Sequence, residues 1–164
     1  MTPTATTAFV GLGSNLGDRA ATLERAMDAL AALPDTALVA RSALYESAPL
    51  DAGGADYLNA VVRLSTGLAP LALLRALQAI EARHGRTRPH TNAPRTLDLD
   101  LLVHGDTAVA TPELVLPHPR LHQRAFVLMP LAEVAPGLSV QGQGTVESLL
   151  GRLGPQRVVR LAKP

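Results

Sequence analysis

No cysteine and no tryptophan occur among the 164 residues. The first absence excludes disulfides, thiolate metal sites and a cysteine nucleophile, and it fits a reducing cytosol. Aromatics are confined to Phe9, Tyr45, Tyr57 and Phe126, too few for the stacking platforms that hold single-stranded nucleic acid. No apolar run approaches the roughly 20 residues that cross a bilayer, and no basic segment followed by an apolar one marks a secretory leader. The expectation is a soluble, cytoplasmic protein with no membrane partner. A net charge of +1 gives no overall attraction to nucleic acid. Lysine is almost missing too: of the 15 basic residues only Lys163 is not arginine. A codon-composition bias would produce the same excess, so the positions of the arginines carry more information than their number.

A hydrophobic fraction of 47% is enough for a packed core, and the length suits one domain spanning residues 1–164, with residues 1–7 read as a frayed tail. Hydrophobic spacing predicts strands over residues 8–12, 36–45, 57–66 and 96–104 and helices over 20–33 and from Pro70 to Glu81. Asp18 is a candidate N-cap, Pro34 a helix stop, and Pro70 a helix start. Two short strands are expected near Val109 and at residues 114–116. A helix is expected over 124–134, interrupted by Pro130, then a weak helix over 146–153 and a terminal strand over 157–161. The order β-α-β-β-α-β followed by extra pieces predicts an α+β fold: a ferredoxin-like split βαβ core, an antiparallel sheet with helices on one face, plus added C-terminal elements.

The most informative stretch is Arg95-Thr96-Leu97-Asp98-Leu99-Asp100-Leu101. Side chains alternate along a strand, so Leu97, Leu99 and Leu101 share one face while Asp98 and Asp100 share the other, roughly 6.6 Å apart. An ordinary solvated strand face has this pattern. So does a site for a hard divalent cation, which takes one or two carboxylates plus substrate phosphates. Just before the strand, Arg83, His84, Arg86, Arg88, His90 and Arg95 follow one another with no acid between them. A solvated loop would look the same, but beside a carboxylate pair these residues could close over a polyphosphate, whose oxygens the arginine fork matches. His118, Arg120 and Arg124 form a second basic group after the strand. The run from Gly11 to Asp18 has neither Walker nor dinucleotide-binding spacing and is read as a tight strand-to-helix turn beside the site.

Five blocks occur in order: Gly11-Leu12-Gly13-Ser14-Asn15-Leu16-Gly17-Asp18, Tyr57-Leu58-Asn59-Ala60, Pro94-Arg95-Thr96-Leu97-Asp98-Leu99-Asp100, Pro117-His118-Pro119-Arg120 and Arg124-Ala125-Phe126-Val127-Leu128. Together they resemble the 6-hydroxymethyl-7,8-dihydropterin pyrophosphokinase family over about residues 8 to 136. The resemblance implies transfer of diphosphate from ATP to a pterin alcohol in folate biosynthesis, with ATP as co-substrate. It implies two Mg²⁺ ions on Asp98 and Asp100. It implies ATP contacts from Glu81, Arg86, Arg88, Arg95, His118 and Arg124, of which Arg86 and Arg95 join the two aspartates as catalytic. It implies a pterin site formed by Ser47, Leu50, Tyr57, Asn59 and Phe126, the two aromatics sandwiching the ring. A monomer is expected. One departure stands out: where the family usually has Trp-Gly-Pro-Arg before the Asp strand, this chain has Asn92-Ala93-Pro94-Arg95, which bears on closure of the basic loop. Competing readings of the residues are a metal-dependent phosphodiesterase or nuclease and a binding module that does not turn over.

Overall fold

The computed structural model describes residues 5–15, 17–48, 56–84 and 97–161. Nine-residue β1 (Thr6–Ser14) leads to α1 (Arg19–Ala31), then β2 (Thr36–Arg41), β3 (Tyr45–Ser47), β4 (Tyr57–Thr66), α2 (Pro70–Arg83) and β5 (Asp98–His104). The remaining elements are β6 (Val109–Ala110), β7 (Val115–Leu116), a 3₁₀ turn (Leu121–Gln123), α3 (Ala125–Val134), β8 (Ser139–Val140), β9 (Gly144–Thr145), α4 (Val146–Arg152) and β10 (Val158–Arg160). The main sheet has the order β10-β3-β4-β1-β5, with β2 also on β4, and every pairing is antiparallel. β1 and β2 thus flank β4, as in a split βαβ unit.

Each face of the sheet carries its own core. Ala8, Val10 and Leu12 of β1, Leu58, Ala60, Val62 and Leu64 of β4, and Leu99 and Leu101 of β5 meet Leu23, Met27 and Leu30 of α1 and Leu73, Leu77 and Ile80 of α2. The opposite alternation brings Phe9, Val61, Leu102 and Val103 onto α3 and α4 through Val127, Leu128, Leu131, Val146 and Leu149. The expectation of helices on one face holds for α1 and α2. The C-terminal helices cover the second face, because the strands alternate apolar residues on both sides.

Local chemistry explains the element ends. Asp18 caps α1, its Oδ1 accepting from the Ala21 N–H at 3.1 Å. Pro70 opens α2, where its missing N–H costs nothing. Gly105 turns the chain after β5 with φ 55°, and a Cβ there would lie 2.7 Å from Thr6 Cγ2, so both space and conformation demand glycine. No helix among the described residues is long and apolar enough to cross a membrane.

Three expectations are corrected. The expected tail over residues 1–7 does not include Thr6 and Thr7, which pair with Thr66 and Ser65; residues 1–4 lie outside the described set. The expected strand over 36–45 is two strands. At Ser42 the N–H still bonds the Val61 carbonyl at 3.0 Å, but the hydroxyl, not a backbone carbonyl, accepts from the Val61 N–H at 3.0 Å and donates to the Ala43 carbonyl at 2.7 Å. The two short strands expected near Val109 and at residues 114–116 are present as β6 and β7, which pair with each other as a small ribbon. Lastly, α3 runs through Pro130 without interruption, held by the burial of Val127, Leu128, Pro130, Leu131 and Val134.

Candidate active site

β1 does not turn at Gly13. It continues as strand to Ser14, and Gly11 and Gly13 stand opposite Asp100 and Asp98 of β5. On the other side Gly13 stands opposite Asn59 of β4, which in turn faces Tyr45 of β3. One cross-strand row therefore reads Tyr45, Asn59, Gly13, Asp98. With strands about 4.8 Å apart, Asn59 and Asp98 are separated by about 9.6 Å, and only a side-chainless residue lies between them. A methyl group at Gly13 would sit 3.4 Å from Asn59 Oδ1 and 3.7 Å from Tyr57 Cδ1. Gly13 leaves a bare floor on the α3 face of the sheet, between Tyr57 and Asn59 on one side and Asp98 on the other, while the Leu102 side chain packs against Gly11.

The polar residues of this wall are held tightly. Asn59 and Ser47 are buried, and Asn59 Nδ2 donates to Ser47 Oγ at 2.7 Å and to the Tyr45 carbonyl at 3.3 Å. Ser47 thus orients the amide. The four aromatics divide cleanly. Phe9 and Tyr45 are core residues at 3% and 4% exposure, whereas Tyr57 and Phe126 are half-buried. A half-exposed Tyr57 ring beside the Gly13 floor is what a flat ligand requires of a wall. Phe126 lies in the first turn of α3, and the Arg124 guanidinium lies 5.5 Å from its ring centroid, within cation–π range.

Asp98 is half-buried and Asp100 exposed, while Leu97 and Leu99 beside them are buried. Glu81 of α2 is only 5% exposed, and its Oε2 accepts from the Leu99 N–H at 2.9 Å. Its carboxylate grips the open edge of β5 at the residue between the two aspartates, so Glu81 is a buried anchor and not the exposed end of a helix. Oxygen-only donors of this kind suit Mg²⁺. Among the described residues no group of three or more metal-binding side chains converges.

At the outer edge of β5 lies an open cleft of ≈ 230 Å³, lined by Leu74, Leu99, Asp100, Thr111, Leu114 and His118 among others. The Leu116–Pro117 peptide is cis, and the His118 N–H bonds the Leu102 carbonyl at 2.9 Å. His118 Nδ1 accepts from the Arg120 N–H at 3.2 Å, which leaves Nε2 as the proton-bearing nitrogen of the neutral ring. Burial pushes the His118 pKa below its ordinary value; Asp100 opposes this, and Arg124 and Arg120 add to it. Burial also works against the charge of Arg124, with Asp100 offsetting it and Arg120 reinforcing it. The two basic side chains and Asp100 therefore share one electrostatic neighbourhood.

Of the residues read from the sequence, Asp98, Asp100, His118 and Arg124 come together around one end of β5, and Ser47, Tyr57 and Asn59 come together across the glycine floor. Leu50, Arg86, Arg88 and Arg95 lie outside the described residues. Sequence reading missed the floor itself, although the alternation Phe9-Gly11-Gly13 against Ala8-Val10-Leu12 carried the signal. It also missed the cleft, whose walls come from three separate segments.

A carboxylate pair beside a basic group, with an open cleft at the same edge of the sheet, defines the class in outline: an α+β protein with a charged site along its edge strand. The comparisons narrow it. The model of the 7,8-dihydro-6-hydroxymethylpterin-pyrophosphokinase (HPPK) family matches residues 9–136. The 2-amino-4-hydroxy-6-hydroxymethyldihydropteridine pyrophosphokinase of Methylorubrum extorquens is 45% identical over 157 residues, covering 95% of this chain and 99% of the relative. That of Pseudomonas aeruginosa is 46% identical over 156 residues, covering 93% and 95%. Among solved structures, Plasmodium falciparum HPPK-DHPS with pteroate superposes with a TM-score of 0.74 at 14% identity, over 93% of this chain and 43% of that one. An HPPK-DHPS in complex with substrates gives 0.73 at 13% identity, over 92% and 43%. The present chain thus spans less than half the length of those solved chains, and their likeness concerns the fold. The chain belongs to the 7,8-dihydro-6-hydroxymethylpterin pyrophosphokinase family.

Proposed function

We propose that this chain transfers the terminal diphosphate of ATP to the hydroxymethyl group of 6-hydroxymethyl-7,8-dihydropterin, releasing AMP, as a step of folate biosynthesis. The observation that carries the reading is the row Asn59–Gly13–Asp98. It sets an amide and a carboxylate about 9.6 Å apart with no side chain between them, a span that suits a bicyclic ring. Tyr57 and Phe126 wall the ring. Asn59, oriented by Ser47, reads its edge through Oδ1 as an acceptor, since both Nδ2 hydrogens go to Ser47 and the Tyr45 carbonyl. The hydroxymethyl group then lies at the Asp98 end, and the nucleoside of ATP occupies the apolar cleft beyond Asp100, so the two substrates approach β5 from opposite sides.

The pterin hydroxyl oxygen attacks the β-phosphorus and its proton passes to solvent, while the bond from the β-phosphorus to the bridging oxygen breaks and AMP carries that oxygen away. Asp98 and Asp100 fit two Mg²⁺ ions held jointly with phosphate oxygens; when bound, Mg²⁺ offsets the phosphate charge and acts as a Lewis acid. His118 donates from Nε2, and Arg124 supplies a fixed positive charge to the triphosphate. Arg86, Arg88 and Arg95 belong to the same reading as further triphosphate partners, and Leu50 as a further pterin contact. Glu81 serves the ATP side by holding the strand that carries both aspartates. Positioning and charge neutralisation account for the catalysis without a strong protein base. The reading takes the chain as one domain, acting as a monomer in the cytoplasm.

The test is nucleotide analysis after mixing the protein with ATP, Mg²⁺ and the pterin alcohol. AMP formed only when all three are present is the expected result. ADP would overturn the attack at the β-phosphorus, and AMP formed without pterin would point to hydrolysis.

A further inference from the structure

Arg124 and Phe126 sit at the start of α3, and the chain supplies no local cap there: the N-cap residue Arg124 makes no side-chain capping bond. Arg124 is extended, with φ −120° and ψ 108°. Its own carbonyl accepts from the Val127 and Leu128 N–H groups at 3.0 and 2.9 Å. In an extended residue the preceding carbonyl and the following N–H point to the side opposite its own. Both of these groups are taken by one distant side chain. Gln156 Nε2 donates to the Gln123 carbonyl at 2.9 Å, and Gln156 Oε1 accepts from the Ala125 N–H at 2.9 Å. The amide pairs with Arg124 as a one-residue strand partner would, fixing both backbone torsions of the residue that carries the guanidinium and setting where Phe126 begins.

The neighbours of Gln156 reach the other wall of the recess. Arg157 lies 3.8 Å from Asp56, one residue before β4. Val158 pairs with Ser47, and Arg160 with Tyr45. Residues 156–160 therefore join the start of α3, the start of β4 and the strand β3 that orients Asn59.

We infer that Gln156 is a positioning residue for the transfer reaction: its side-chain amide holds Arg124 and Phe126 in register with the β3–β4 wall. This rests on the functional reading above. A residue acting through such a placement affects substrate affinity and turnover together, since misplacing reacting groups by a fraction of an ångström is costly.

The experiment compares steady-state constants of the wild-type chain, Gln156→Ala, Gln156→Glu and Thr145→Ala. Thr145 caps α4 through its Oγ1, which accepts from the Ser148 N–H at 3.1 Å, and it touches none of the site residues, so it reports the effect of a lost cap alone. For Gln156→Ala the KM for pterin rises and kcat/KM falls by ~10-fold or more. Gln156→Glu keeps the acceptor for Ala125, loses the donor to Gln123, and falls between. Thr145→Ala keeps both KM values. A purely structural role would lower the folded fraction, and so kcat, with KM unchanged. Gln156→Ala within twofold of wild type, or matched by Thr145→Ala, overturns the inference while an active wild type leaves the functional reading standing. A wild type that forms no AMP overturns both.

Discussion

Gly13 marks the spot where absence of a side chain does the most. A methyl group there would make only ordinary contacts, at 3.4 and 3.7 Å, so the fold tolerates it, yet it would occupy the floor between Asn59 and Asp98. Gly13→Ala is expected to weaken pterin binding by ~10-fold or more, the scale of one methyl group in a fitted pocket, with little change in the unfolding midpoint. Equal affinity by titration would remove pterin from the floor. His118 gives a pH signature. Its folded pKa is lowered, first by burial, so below the ordinary value of 6.5 the unfolded chain takes up a proton that the folded one refuses. Its contribution is complete above that value and is lost as pH falls toward the folded pKa. Denaturation of the substrate-free protein at about pH 7.5 and pH 5.5 should show a stability loss that His118→Asn lacks; identical losses in the two proteins would contradict the burial of a neutral ring.

At the scale of elements, β5 is the part that most needs support, because it is an edge strand bearing two like charges. α2 supplies that support through Glu81. Removing the carboxylate in Glu81→Ala strands the Leu99 N–H and should cost about 1–3 kcal/mol in urea unfolding, while Glu81→Gln retains an acceptor and loses less. Equal losses would mean that the bond to Leu99 is not what matters. The face shared by Asp98 and Asp100, the Asp18 cap and the Pro70 start were all legible, because each depends on residues within a few positions. The break between β2 and β3 was not, because Ser42 bonds to Val61, far along the chain. The burial of Glu81 was hidden for the same reason: in sequence it is the last turn of an amphipathic helix, and only the packing of α2 on β5 makes it an anchor.

Across the whole molecule, the added C-terminal third completes a site that the core alone leaves open. α3 brings Arg124 and Phe126 to the sheet face opposite α1 and α2, and β10 extends the sheet beyond β3. Glu133 ties these additions to the core. Its carboxylate accepts from the Ala43 N–H at 2.9 Å, from Tyr45 Oη at 3.1 Å and from Arg160 at 3.1 Å. Burial raises its pKa, but those three partners outweigh it and hold the carboxyl below its ordinary range. Tyr45 is pushed the other way, by burial and then by the Glu133 charge. The ties made by Glu133, Gln156 and Arg160 could not be read from the sequence, whose last thirty residues hold one weak helix and few strong signals. The partners that give Glu133, Gln156 and Arg160 their meaning lie on other elements.

The central claim is that diphosphate transfer takes place over the Asp98–Asp100 face of β5, and the most direct measurement is AMP release by Asp98→Asn and Asp100→Asn under saturating ATP, Mg²⁺ and pterin alcohol. Asparagine keeps the size and removes the charge, so folding is preserved. The account predicts turnover lowered by at least ~100-fold in each protein, with unfolding midpoints close to wild type. Two variants that release AMP at near wild-type rates would contradict it.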